Sequence, residues 1–299
     1  MKAMILAAGF GTRLMPLTSN IPKPLVPVGN IPVIDRLIRY LKSHGIRKII
    51  VNAHHHHQQL ADHLTGEKSY GVDIEVRVEP RILGTGGGIE NTRDFWDAEP
   101  FVVVNGDIIT DLDLGSVIEK HLKFGNLSTL VLHDYPPFNQ IRIDNHLNLI
   151  DISAGNQPGR FAFTGIHVMD PKILDHIPPR RYSDIIDCYR YLIKAGEPVR
   201  ACLVHGHYWR DIGSIKSYVL ANKAYTNETP FLMAPGCRMH DSAGLKDWAV
   251  IGKNVQMEED VEIRRSILWN DARIKSGVKV VDSIVTSKEV KRDLIGEVY

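Results

Sequence analysis

Two stretches near the N-terminus carry the residue types that handle phosphate. Gly9-Phe10-Gly11-Thr12-Arg13 is a turn with two glycines, and Pro22-Lys23-Pro24-Leu25-Val26-Pro27 follows it. Glycines let backbone N–H groups come close to phosphate oxygens. Arg13 brings a planar fork of donors to the same oxygens. Pro22 and Pro24 stiffen the backbone on both sides of Lys23, so its ammonium emerges from a rigid loop. The stretch is not the dinucleotide fingerprint, because Leu14 stands where the third glycine belongs. No Gly-Lys-Ser/Thr follows, so it is not a P-loop either. An ordinary tight turn and a Pro-rich surface loop would account for the glycines alone, but not for the whole constellation over 6–27.

Further along, Asn105-Gly106-Asp107 closes an apolar run. A carboxylate there can hold Mg²⁺ beside phosphates, since Mg²⁺ takes few carboxylates plus phosphate oxygens; a lone Asp after a strand also serves as a helix cap. Leu83-Gly84-Thr85-Gly86-Gly87-Gly88 admits a flat base or sugar against backbone, with N–H groups to read its edge. Glu79, just upstream, can accept from the two adjacent donors of guanine, or can be a solvated strand end. Asp111-Leu112-Asp113 has the form of a glycosyltransferase metal pair, but its place ahead of a helix over 116–124 favours N-capping. The run His54-His55-His56-His57 diverges along a strand or turn, unlike the i, i+4 pair of a helical zinc site, and predicts a strand-to-helix loop.

These residues need a frame. Apolar strands are predicted over 2–8, 48–53, 73–79, 101–104, 167–169 and 199–204. Helices are predicted from Pro32 to Gly45 and over 58–64, 88–95, 116–124, 182–195 and 214–225. Residues 141–165 read as β-rich. Alternating strands and helices make an α/β fold, a mostly parallel sheet with helices on both faces. Ligands of such sheets bind beyond the carboxyl ends of the strands, where the segments above fall. The tail differs: Ala249, Val255, Val261 and Ile267 stand six apart, Ile251, Met257 and Ile263 follow at an offset of two, and Ala272, Val278 and Ile284 resume the step. Six-residue periodicity of small and aliphatic residues predicts a short parallel β-helix. The expected domains are 1–226 and 232–299, and so short a helix needs docking or oligomerisation to cover its ends.

The composition removes several function classes. A formal net charge of +1 offers no nucleic-acid groove and no membrane-surface patch. Three widely spaced cysteines, Cys188, Cys202 and Cys237, form neither a disulfide framework nor a zinc pattern, which points to a reducing cytoplasm. No run of about 20 apolar residues occurs.

Taken in order, Gly9-Phe10-Gly11-Thr12-Arg13, Pro22-Lys23-Pro24-Leu25-Val26-Pro27, Asn105-Gly106-Asp107, Phe163-Thr164-Gly165-Ile166 and Asp211-Ile212-Gly213-Ser214 resemble the signature of the sugar-nucleotide pyrophosphorylases. These are nucleoside triphosphate:sugar 1-phosphate nucleotidylyltransferases. The resemblance implies a Rossmann-like, GT-A-type sheet over about 1–225. It implies that Leu6, Ala8, Gly9, Gly11, Thr12, Arg13, Glu79, Thr85, Gly86, Gly87 and Gly106 bind nucleotide. Lys23 would contact the reacting phosphates, Asn105, Thr164 and Gly165 the sugar phosphate, and Asp107 with Asp211 the Mg²⁺. Many members carry a Glu-Lys-Pro whose lysine holds the sugar phosphate; here Ser153-Ala154-Gly155-Asn156-Gln157 stands in that place, with Arg160 as a substitute.

The implied reaction joins a triphosphate and a sugar 1-phosphate into a nucleotide sugar and pyrophosphate. Mannose 1-phosphate with GTP is the first expectation, because the spacing from Glu79 to Leu83-Gly84-Thr85-Gly86 resembles that of mannose 1-phosphate guanylyltransferases. N-acetylmuramate 1-phosphate with UTP and glucose 1-phosphate with dTTP are the alternatives within the family. A glycosyltransferase and a non-catalytic regulatory subunit are the rival classes. The tail is expected to join copies of the chain.

Overall fold

Aliphatic and β-branched runs, each ending in a polar or glycine-bearing turn, build the sheet that carries these segments. The computed structural model describes residues 1–66, 70–136, 138–153, 155, 158–286 and 288–299. Its main strands are β1 (Lys2–Leu6), β2 (Lys48–Ala53), β3 (Asp73–Val78), β4 (Phe101–Asn105), β5 (Ser128–His133), β6 (Ala162–Met169) and β7 (Val199–Leu203). They pair in the order β7-β5-β6-β4-β1-β2-β3. Neighbours are parallel except β6, which runs antiparallel to both β4 and β5. The helices are α1 (Val33–Ser43), α2 (His57–Thr65), α3 (Gly84–Glu90), α4 (Leu114–Phe124), α5 (Ile185–Ala195) and α6 (Ile215–Ala224). The mixed, mostly parallel α/β sheet is the one the alternation predicts.

Burial explains why these runs form. Met4, Phe101, Val103, Leu130 and Leu132 share one buried cluster with Tyr189 and Leu192 of α5. Each such side chain contributes about 1.5–3 kcal/mol when fully withdrawn from water. Local signals close the elements. Asp113 accepts from the N–H groups of Gly115 and Ser116 at the start of α4, and Gly125 ends it in the left-handed conformation (φ 58°). Asp184 does the same for α5 through Ile186 N–H, with Gly196 (φ 76°) at the far end. Caps of this kind are worth about 1 kcal/mol each.

Three elements depart from the sequence reading. The glycine run is itself the start of α3, so that helix begins at Gly84, four residues ahead of the expected Gly88. α5 begins at Ile185, because Asp184 takes the cap and holds Tyr182 outside the helix. β5 was not predicted: all six of its residues are buried, so it has no alternation to reveal it.

The chain divides into two compact units. Unit 1 comprises Met1–Phe10, Pro22–Pro24 and Ile34–Trp209, and unit 2 comprises Gly11–Ile21, Leu25–Val33 and Arg210–Tyr299. In unit 2 the tail strands stack in parallel: Leu245 pairs with Ile263, Ile263 with Val280 and Val280 with Leu294. Met239, Met257, Ile274 and Val290 form a second ladder. Every residue of the six-residue series, from Ala249 and Val255 to Val278 and Ile284, is buried. The left-handed backbone at Asp247, Arg265 and Asp282 recurs at coil corners, and Arg265 bridges both aspartates there. The N-terminal segments of unit 2 belong with this tail. Asn30 Nδ2 donates to the Ile251 carbonyl (2.9 Å), Gly29 N–H to Asn222 Oδ1 (3.0 Å), and Trp269 Nε1 to Tyr218 Oη (2.9 Å).

Candidate active site

In unit 1 the carboxyl ends of three strands are level. Leu6 of β1 lies opposite Asn52 of β2 on one side and Asn105 of β4 on the other. The turn after β4 is clamped to β1, with Gly106 N–H donating to the Leu6 carbonyl at 2.8 Å. A Cβ at Gly106 would stand 2.6 Å from that carbonyl oxygen, so only glycine permits the approach. Asp107, the next residue, is thereby fixed at the strand end and forms an ion pair with Lys23. Proline-framed lysine and strand-end carboxylate, 84 positions apart, are in direct contact. Asp107 Oδ2 takes the lysine, and the side chain is about a quarter exposed (26%).

On the next strand, Gly165 (φ 80°) lies against Asn105, whose Nδ2 would be 2.6 Å from an added Cβ. The β5–β6 register shifts between Phe163 and His167, a bulge that the left-handed glycine makes possible. Thr164 is fully buried, and its hydroxyl donates to the Val131 carbonyl (2.9 Å). Its carbonyl accepts from Trp209 Nε1 (2.8 Å), which holds the indole in place. Beside it stands an aromatic group the sequence reading missed. His133, at the end of β5, stacks on Tyr135 with centroids 5.2 Å apart, meets Trp209 edge-on at 4.8 Å, and shares a ring-nitrogen hydrogen bond with His207 (3.2 Å). Burial, then the neighbouring His207, pushes the His133 imidazole down to about 4. The signal in the sequence was the short aliphatic run Leu130-Val131-Leu132, ended by His133.

The glycine run does different work from that expected. Gly86 and Gly87 N–H both donate to the Ser183 carbonyl, at 2.8 and 3.1 Å. A Cβ on Gly87 would stand 2.5 Å from the Arg181 carbonyl oxygen. Thr85 Oγ1 donates to Asp184 and accepts from Ile185 N–H. Gly86 and Gly87 therefore pack α3 against the chain leading into α5 with their N–H groups engaged, and Thr85 does so through its hydroxyl. Glu79 is not a solvated strand end, being only 1% exposed. Its two oxygens accept from Asn52 Nδ2 and Leu83 N–H, so it braces the scaffold between β2 and the start of α3. Burial raises its carboxyl above the usual range, against the lowering effect of those two bonds and of His54.

Unit 2 holds four of the expected residues, Gly11, Thr12, Arg13 and Asp211. Gly11 (φ 68°) opens a short 3-10 turn through Thr12, Arg13 and Leu14, and its carbonyl accepts from Thr18 Oγ1 (2.9 Å). Asp211 Oδ2 accepts from Gly213 N–H (3.2 Å). A Cβ on Gly213 would stand 2.5 Å from Asp211 Oδ2 and 3.5 Å from Arg13 Nη2, so this glycine lies between carboxylate and guanidinium. Ser214 caps α6 through Ser217 N–H. Gly9 and Ala8 fall in unit 1 with Leu6.

Other residues take structural places. Asp113 is the α4 cap, as the sequence indicated, and Asp111 Oδ1 accepts from Tyr208 N–H, so this pair is occupied by backbone. The histidine run is a strand-to-helix loop, with His57 opening α2. Arg160 pairs with Asp151 (2.7 Å) and donates to the Gln140 carbonyl. Ala154, Asn156 and Gln157, from the stretch replacing Glu-Lys-Pro, lie outside the described residues.

The comparisons agree with this frame. A UTP–glucose-1-phosphate uridylyltransferase of Synechocystis is 28% identical over 94% of this chain and 77% of its own. A mannose-1-phosphate guanyltransferase of Schizosaccharomyces pombe is 30% identical over 85% of this chain and 74% of its own. Among solved structures, HddC of Yersinia pseudotuberculosis complexed with GMP-PN superposes with a TM-score of 0.65 at 26% identity, covering 75% of this chain and 99% of that one. The nucleotidyl transferase family matches residues 2–228, and the chain belongs to that family.

Proposed function

We propose that the protein joins a nucleoside triphosphate to a sugar 1-phosphate, giving a nucleotide sugar and pyrophosphate, with GTP and mannose 1-phosphate as its substrates. The contact between Lys23 and Asp107 carries the reaction class. It puts a cation and a carboxylate together at the carboxyl end of a parallel sheet, where phosphates of such folds lie. The substrate choice is supported by the likeness to the guanyltransferase of Schizosaccharomyces pombe and to the GMP-PN complex of HddC. The uridylyltransferase of Synechocystis, alike over 94% of this chain, favours UTP and glucose 1-phosphate as the second reading.

The chemistry is an in-line displacement. An oxygen of the sugar phosphate bonds to the α-phosphorus, the bond from that phosphorus to the bridging oxygen breaks, and pyrophosphate leaves with the electron pair. The nucleophile is already an anion, so no base and no covalent intermediate is required. What the protein must do is hold two anions in line and offset their repulsion. Lys23 supplies positive charge at the strand ends, and for Arg13 and the glycine turn the phosphate-binding part rests on the sequence resemblance. Asp107 fits Mg²⁺: it is a hard oxygen ligand, partly exposed, with one oxygen engaged by Lys23 and the other making no hydrogen bond among the described residues. For Asp211 the metal-holding part rests on the sequence resemblance. When bound, Mg²⁺ would neutralise phosphate charge, with phosphate oxygens completing its shell. The three free cysteines, two of them buried, suit a reducing cytoplasm.

A grid of four triphosphates against mannose, glucose and N-acetylmuramate 1-phosphates, read by pyrophosphate release, tests the assignment. GTP with mannose 1-phosphate should give the highest kcat/KM; UTP with glucose 1-phosphate in first place would move it to the second reading.

A further inference from the structure

We propose that Asn52, Glu79 and His54 form a buried bridge that sets the position of the triphosphate turn relative to the glycine-rich start of α3, and that Asn52 and Glu79 are positioning residues for nucleotide binding. The inference rests on the reaction proposed above. All of the bridge lies in unit 1. Asn52, at the level of Leu6 in the sheet, is only 2% exposed. Its Oδ1 accepts from Ala7 N–H at 2.7 Å, the residue where β1 gives way to the turn. Its Nδ2 donates to Glu79 Oε1 at 2.7 Å. Glu79 Oε2 then accepts from Leu83 N–H at 3.1 Å, one residue before α3. One amide and one carboxylate thus link two backbone N–H groups from separate segments, with no polar atom wasted.

His54 doubles the link. Its Nδ1 lies 2.7 Å from the Glu79 carbonyl, and because that oxygen can only accept, Nδ1 carries the proton. The same ring meets Phe10 edge-on, with centroids 5.5 Å apart. Phe10 is the residue between the two glycines of the turn, and it is half exposed. The first histidine of the conspicuous run therefore ties the turn to Glu79 from a second side. Gly88 of α3 seats on the bridge: an added Cβ would stand 2.8 Å from Asn52 Nδ2 and 2.9 Å from Glu79 Oε1.

The test uses the full chain and the variants Asn52→Ala, Asn52→Asp and Glu79→Gln, with folding followed by circular dichroism at each pH. Asn52→Ala should lower kcat/KM for the triphosphate about 10- to 100-fold while KM for the sugar 1-phosphate stays within about twofold, because the bridge does not reach Asn105 or Gly165. Asn52→Asp sets a second carboxylate oxygen against Glu79, with His54 the one other titratable group bearing on it among the described residues. That pair works when it shares a proton, so this variant should regain activity as pH falls and lose it as pH rises, opposite to a simple acid-stability defect. Glu79→Gln gives the same kinetic reading if Asn52→Ala does not fold. A folded Asn52→Ala with unchanged triphosphate constants, or an Asn52→Asp profile parallel to wild type, overturns the proposal. If the wild type releases no pyrophosphate, the reaction reading fails by itself. Calorimetric titration with GTP then judges the bridge: equal affinity of wild type and Asn52→Ala overturns it, and weaker binding by the variant upholds it.

Discussion

At the scale of single residues, the expected site side chains divide into a pair that face each other at the strand ends and others engaged by the protein itself. Lys23 and Asp107 meet each other at the strand end, while Thr164, Glu79 and Thr85, all expected to touch ligand, are engaged by the protein itself. Burial also leaves a titration signature. It pushes the His167 imidazole down to about 3, and burial with His207 pushes His133 down to about 4. Both are neutral in the folded protein across the range in which the unfolded chain, with histidines near 6.5, takes up protons. The unfolded state therefore binds more protons as pH falls, so stability is lost from about 6.5 down to about 4 for His133 and about 3 for His167, and is insensitive to these groups above that window. Each such histidine contributes a slope of ~1.4 kcal/mol per pH unit. Urea midpoints at pH 7, 6 and 5 should fall accordingly, and His167→Gln should reduce the slope. Midpoints independent of pH would contradict the assignment.

At the scale of elements, the glycine run shows what packing decides. Gly87 abuts the Arg181 carbonyl, which is backbone and cannot swing aside. Gly87→Ala should therefore destabilise the protein by about 1–3 kcal/mol in urea denaturation, although alanine is the better helix former by about 1 kcal/mol. Unchanged or raised stability would show that α3 has room there. The sequence alone could not disclose this, because the partner segment lies about a hundred residues away. The same holds for Glu79, whose burial depends on Asn52 of the neighbouring strand, and for β5, whose two covered faces erase the alternation that marks a strand. Where the pattern is local, it was legible. The six-residue step of the tail is set by the interior of each coil, so the spacing alone marks Val255, Val261 and Val278 as core. The turn at Gly9 and Gly11, the proline frame of Lys23 and the cap at Asp113 were legible for the same reason: their chemistry lies in adjacent residues.

At the scale of the whole molecule, the family match over residues 2–228 and the tail coils beyond it account for nearly all of the chain. Unit 2 groups the segments at 11–21 and 25–33 with the tail, Asn30 bonding to Ile251 and Gly29 to Asn222 of α6, so the loops on either side of Lys23 belong to the same body as the coils. The central claim is that all of this serves attack on an α-phosphorus. The most direct measurement follows label from the triphosphate in the presence of a sugar 1-phosphate and Mg²⁺. Label in the α-phosphate should appear in the nucleotide sugar and label in the γ-phosphate in pyrophosphate, with Lys23→Ala slowing both by about 100-fold. Label from the γ-phosphate found on the sugar, or turnover that consumes a sugar nucleotide and leaves the triphosphate untouched, would contradict it.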